Sequence, residues 1–200
     1  MCGRYDLSEN PAAIRAKFSV PAVPDFAPSM DWRPTNRAPI VRLAADGTRE
    51  CALARWGLVP GWAPDLKFGA RCINARAETV AKLPAFRGAF RRRRCLVPVN
   101  AFFEWSGEKG ERMKWRISLR EEPLFALAGL WEWWQDRESG EAVTSFTIVT
   151  CAANAAIAPL HDRMPVILRE TDYARWLEAS ADGQPLLAPF DSASLELARA

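Results

Sequence analysis

The chain has 200 residues, 49% of them hydrophobic, with a formal net charge of +3, which suits one globular domain with a real core and argues against disorder. No apolar run approaches the roughly 20 residues of a membrane span, and the start lacks the basic-then-apolar order of a secretory signal, so the sequence reads as a soluble, cytoplasmic protein without membrane attachment. Five cysteines, Cys2, Cys51, Cys72, Cys95 and Cys151, are odd in number and widely spaced, fitting neither a disulfide framework nor a paired zinc site; with a single histidine, no metal and no other cofactor is expected.

The chain opens Met1-Cys2-Gly3-Arg4. A small second residue permits removal of the initiator, leaving a free amine and a thiol on one carbon at Cys2. Such an aminothiol condenses with an aldehyde to an imine, and its sulfur then closes a thiazolidine. Alternatively the amine serves as base to its own thiol in amide hydrolysis. The plain reading is a small residue next to the start.

Asn10 followed by Pro11 predicts an N-cap and first helical position, with a helix to about Phe18. Prolines at 21, 24, 28, 34 and 39 predict an extended wrapping segment without regular hydrogen bonding. Ile40–Leu43 and Cys51–Ala54 flank Asp46-Gly47, a β-hairpin signal. The run 56–64 reads as a stiff loop displaying two indoles, Trp56 and Trp62. Cys72 to Thr79 mixes polar groups with small residues, unlike a core strand, and a short helix is expected near Pro84 to Arg92. From Cys95 the pattern becomes an antiparallel meander: 95–99, 102–105, a turn at Ser106 to Gly110, then 113–119, 124–134 and 142–150. A short helix is expected over Asn154 to Leu160, a strand over Val166 to Leu168, and a last helix capped by Thr171 or Asp172 through Leu177. The tail from about residue 180 is weakly patterned. The fold class is α+β: one domain, mostly antiparallel sheet in a barrel-like meander, with a few short helices.

Charge and aromatic residues suggest where a ligand binds. Between Arg71 and Arg94 lie eight basic residues against Glu78 alone, a local +7 that leaves −4 elsewhere in a chain of net +3. Arginine's planar fork suits phosphate, so this points to an anionic polymer or phosphorylated ligand; a solvated helix end is the plainer alternative. Trp62, held on its loop beside that segment, suits stacking on unpaired bases, or ordinary loop packing. Glu104 lies among Phe102, Phe103 and Trp105. Facing inward, its pKa rises toward values useful for proton transfer; facing outward, it is an ordinary strand residue. His161 lies at a polar junction with Asp162 and Arg163, where a side chain titrating near neutrality can move protons or serve structure.

Six blocks, Met1–Tyr5, Trp56–Ala63, Asn74–Thr79, Phe102–Trp105, Ala128–Trp131 and His161–Pro165, together and in this order resemble the SOS response-associated peptidase family, the abasic-site processing proteins. The resemblance implies an enzyme that binds single-stranded DNA and captures abasic sites through Cys2 as a thiazolidine crosslink, after loss of Met1. An amidohydrolase using Cys2 and a non-covalent single-strand binder are the other readings. By position, Asn74 would hold the N-terminus and sugar, Glu104 would shuttle protons, and His161 would protonate the sugar oxygen and assist reversal. Arg4, Arg76 and Arg163 would hold phosphates, Pro39 and Trp62 would pack on flanking nucleotides, and Arg71 and Thr150 would add DNA contacts. A groove of this kind reads little base identity. The implied partner is single-stranded DNA containing abasic sites; the implied state is a monomer, associated with the nucleoid during damage. The chain departs from the family pattern at Ser194 to Ala200, where the closing strand with its Val-Asn type motif is expected to be missing.

Overall fold

A computed structural model describes residues 2–108 and 111–200. Met1 lies outside them, as do Lys109 and Gly110 of the turn expected after Ser106. The chain runs β1 (Tyr5–Leu7), α1 (Pro11–Phe18), β2 (Ser29–Trp32), β3 (Arg37–Leu43), β4 (Arg49–Trp56), β5 (Asn74–Arg76), α2 (Arg87–Arg92), β6 (Arg94–Val99), β7 (Ala101–Ser106), β8 (Met113–Leu119), β9 (Phe125–Gln135), β10 (Ala142–Ala152), β11 (Arg163–Pro165), β12 (Ile167–Leu168), α3 (Tyr173–Leu177) and β13 (Leu195–Arg199). The α+β class and the barrel-like sheet of the sequence reading hold.

Local signals set local structure. The Asn10 side chain accepts from Ala13 N at 3.0 Å, with Pro11 opening α1, and Asp46-Gly47 turns the β3–β4 hairpin, Gly47 having φ +83°.

Two sheets result. In the larger, β4 pairs with β3, β3 with β6, β6 with β9, β9 with β10, and β10 again with β4, so five strands close into a ring with no free edge between them. The smaller is an open sheet in the order β13-β8-β7-β1-β2. Their facing sides share one apolar core that includes Tyr5, Phe102, Trp56 and Phe146, with Trp56 stacked on Phe146 at 6.2 Å and tilted against Tyr5 at 5.2 Å.

The meander is not wholly antiparallel: β10 runs parallel to both β4 and β5. Cys72 to Thr79 therefore does contain a strand, with Ala75 buried between Asn74 and Arg76. Trp56 is not displayed on the loop but ends β4 at 1% exposure, donating its indole N–H to Ile73 O at 2.8 Å. The proline-rich segment contributes β2 and the start of β3. Asn154 to Leu160 forms successive turns instead of a helix, because Pro159 has no N–H to continue one and its ring obstructs the preceding turn. The last helix ends at Leu177 as expected, but Asp172 makes no side-chain cap bond. The tail is corrected too: Leu195–Arg199 pairs antiparallel with β8, Leu195 buried opposite Leu119.

Candidate functional site

Three segments converge at the seam between the sheets. The first is the N-terminal segment, held along β7 by Tyr5 opposite Phe102 and by Phe103 N donating to Arg4 O at 3.0 Å. Extending that register sets Gly3 across from Glu104. Cys2 is fully buried, its Sγ 3.8 Å from Arg4 O.

The second segment is β5. Its parallel pairing with β10 and the Trp56 bond to Ile73 fix the backbone around Asn74, whose Nδ2 donates to Cys2 O at 2.9 Å. Asn74 Oδ1 is buried with no hydrogen-bond partner among the described residues, so an acceptor stands open beside the Cys2 backbone.

The third is the turn from β10 into β11, closed by Ala153 N donating to Asp162 O at 3.0 Å. His161 Nδ1 lies 2.9 Å from Arg163 N and 2.7 Å from Asp162 Oδ1. A ring nitrogen serves one of these at a time: neutral, it accepts from the Arg163 N–H; protonated, it donates to Asp162. Burial, joined by the amino-terminal charge, holds the imidazole below its ordinary value, with the Asp162 carboxylate opposing.

Glu104 is 2% exposed, which settles its orientation inward. Burial pushes its carboxyl up to about 7, the amino-terminal charge opposes that shift, and Asp162 adds to it. The Cys2 thiol is driven well above its ordinary range by burial first and by the Glu104 carboxylate second. Thiol and carboxyl are thus within electrostatic reach of each other, and Asp162 reaches both Glu104 and His161.

The expected DNA contacts divide. Arg4 has its guanidinium 5.6 Å over the Trp105 ring and 3.3 Å from Asp31. Arg76 is exposed at the end of β5. Trp62 is 54% exposed, its ring edge-on to Phe68 at 5.0 Å, and Arg71 covers the same Phe68 ring at 4.7 Å. Arg163 is committed internally: it grips Glu78 with two bonds, 2.7 and 3.0 Å, and donates to Thr150 O at 2.6 Å, holding the Glu78 carboxyl low. Pro39 and Thr150 are buried within β3 and β10. The basic run also splits, since Arg93 pairs with Glu132 and Arg94 donates to Glu178 O and Ala181 O, while Arg71, Arg76, Lys82, Arg87, Arg91 and Arg92 stay exposed. The sequence reading missed Glu78 as the partner of Arg163, although its being the one acid in the basic segment marked it. Among the described residues no group of three His, Cys, Asp or Glu could hold a metal, and no helix is long and apolar enough to cross a membrane.

Comparison with known proteins sharpens this picture. The SOS response associated peptidase (SRAP) family profile matches residues 1–200. The abasic site processing protein YoqW of Bacillus subtilis is 36% identical over 206 residues, covering 98% of this chain and 90% of the relative; HMCES of Xenopus tropicalis, named likewise, is 26% identical, covering 84% of this chain and 60% of the relative. A crystal structure from Bacteroides thetaiotaomicron superposes with a TM-score of 0.91 at 26% identity over 99% of this chain and 91% of that one. One from Bordetella bronchiseptica gives 0.87 at 27% over 100% and 99%. The chain belongs to the SOS response-associated peptidase family.

Proposed function

We propose that this protein captures abasic sites in single-stranded DNA as a covalent thiazolidine adduct of Cys2, acting as a monomer in the cytoplasm after losing Met1 to an aminopeptidase or to its own peptidase-type activity. The names of its relatives support the substrate. The observation that carries the chemistry is the 2.9 Å bond from Asn74 to Cys2 O beside the buried Glu104.

Freed of Met1, the α-amine of Cys2, with an ordinary pKa of about 7.7 to 8.0, is partly neutral at cellular pH. The open Asn74 Oδ1 suits an N–H of that amine, leaving its lone pair for the ring-opened sugar aldehyde. Addition gives a carbinolamine, and loss of water gives an imine. The thiol then adds across the C=N bond and its proton passes to nitrogen, closing the ring. Because burial keeps the thiol protonated, amine attack comes first. Glu104, titrating at about 7, can donate to the departing hydroxyl and then accept from the thiol. His161 protonates the sugar oxygen as the ring opens and assists the reverse reaction. The exposed Arg76 and Arg71 and the partly exposed Arg4 hold phosphates, and Trp62 stacks on a neighbouring base.

The test mixes protein lacking Met1, verified by intact mass, with abasic single-stranded DNA. A shifted band surviving heat and denaturant is expected. Cys2→Ser should give an imine trappable by borohydride but no stable adduct, and one extra residue before Cys2 should abolish both. A stable adduct from the extended protein sinks the mechanism.

A further inference from the structure

Behind Trp62 lies a cleft of about 400 Å³ lined by Pro60, Trp62, Pro84, Arg87, Arg93 and Glu132 among others, within the roughly 300–1,000 Å³ typical of small-molecule sites. Its apolar lining is the half-exposed Trp62 indole, set edge-on to Phe68, with the rings of Pro60 and Pro84. Its polar lining is an ion pair, Arg93 to Glu132 at 2.7 Å, with the Glu132 side chain only 12% exposed. Arg87 is exposed at the margin, and from the cleft the chain leads through Phe68 and Arg71 to Asn74 and Cys2.

The exposed face of an indole fits a planar ring, and a carboxylate beside a guanidinium selects which ring. Guanine presents two adjacent donors, N1–H and the N2 amine, next to one acceptor, O6. Glu132 accepts from Arg93 and from Trp133 N at 3.2 Å, which leaves acceptor capacity on both oxygens, while Arg93 can donate to O6. Adenine and cytosine would point a ring-nitrogen lone pair at the carboxylate, and thymine offers one donor between two acceptors. We infer that this cleft is a subsite for one unpaired guanine flanking the reactive position, its ring on Trp62 and its Watson–Crick edge on Glu132 and Arg93. The inference rests on the single-stranded DNA reading and adds to it a preference at one position, where charge and stacking alone would give almost none.

The experiment uses unmodified oligothymidylates carrying a single guanine at successive positions, with affinity read by fluorescence anisotropy, so that nothing depends on Cys2 chemistry. One position should bind about 10-fold tighter than the all-thymine strand. Inosine there, lacking the N2 amine, should lose most of the gain, whereas 7-deazaguanine, whose Watson–Crick edge is intact, should keep it. Glu132→Gln should remove the preference, so that the guanine strand binds the variant no tighter than the all-thymine strand. Equal affinity at every position, or full retention by inosine, overturns the subsite. If that occurs while abasic strands still crosslink, the proposed function stands without it; if the protein neither binds nor crosslinks single strands, both fall.

Discussion

Around Cys2 the protein is dry: thiol and carboxyl are buried, burial governs both of their pKa shifts, and the backbone is pinned from β7 and from Asn74. Around Trp62 it is wet, with an exposed indole, the Arg71 guanidinium lying on Phe68, and arginines open to solvent. Proton transfer gains from a low-dielectric pocket where a carboxyl can hold its proton at neutral pH. A chain of phosphates is better met by mobile, solvated cations that give up little hydration. Under the proposed function the two tasks are separated by burial, and perturbing each region should move a different observable.

The sharpest contrast is between two indoles six positions apart. Trp56→Ala removes a ring packed on Tyr5 and Phe146 and should cost about 3–5 kcal/mol of stability in urea denaturation. Trp62→Ala should change stability by no more than about 0.5 kcal/mol yet weaken single-strand binding by about 1–3 kcal/mol. Equal stability losses would erase the contrast.

Next comes Glu104→Gln, expected to slow crosslinking by about 100-fold without weakening binding to unmodified strands. It also carries a pH signature. A carboxyl raised to about 7 in the folded protein favours folding in its protonated form, so its contribution is full below the unfolded value near 4.5 and is lost as pH rises through about 7. Denaturation across pH 4 to 9 should show that decline in the parent and its loss in the variant. An unchanged crosslinking rate at every pH would remove Glu104 from the mechanism.

The smallest effect belongs to the wet side. Arg76→Ala should lower the slope of log affinity against log salt by roughly 0.7 on single strands, while the capture rate at saturating DNA stays insensitive to salt. Salt-independent binding by the parent would dismiss the phosphate contacts.

What the sequence made legible was mostly what neighbours in the chain decide. Asn10-Pro11 and Asp46-Gly47 gave a helix start and a hairpin because cap and turn chemistry is local. The resemblance supplied Cys2, Asn74, Glu104 and His161, and the four segments that carry them do meet. What stayed hidden depends on distant partners. Asn74–Arg76 is a strand only because β10 runs beside it in parallel. Glu104 could not be oriented from alternation, since its cover is the N-terminal segment about a hundred residues earlier in the chain. That Arg163, expected on a phosphate, bonds Glu78 and Thr150 could not be read from its neighbours in the chain. At β13 the signal was present: Leu195 and Leu197 alternate with Glu196 and Ala198, a half-buried strand pattern too short to stand out without β8 to pair it.

Residues 57–73 leave and rejoin the same strand. Trp56 sits opposite Phe146 and Asn74 opposite Ile148, while Gly57 N bonds Phe146 O at 2.8 Å and Ile148 N bonds Ile73 O at 3.2 Å. Gly57 adopts φ +116° where a Cβ would stand 2.8 Å from Gly69 O, so the excursion is cinched at its base. Such a closed handle can change length or composition at little entropic cost without shifting the strand that presents Asn74. It is a natural unit of exchange: transplanting this handle between relatives should carry the Trp62 and Arg71 share of single-strand affinity with it, while the base preference proposed for Glu132 and Arg93 and the proposed capture chemistry stay with the recipient.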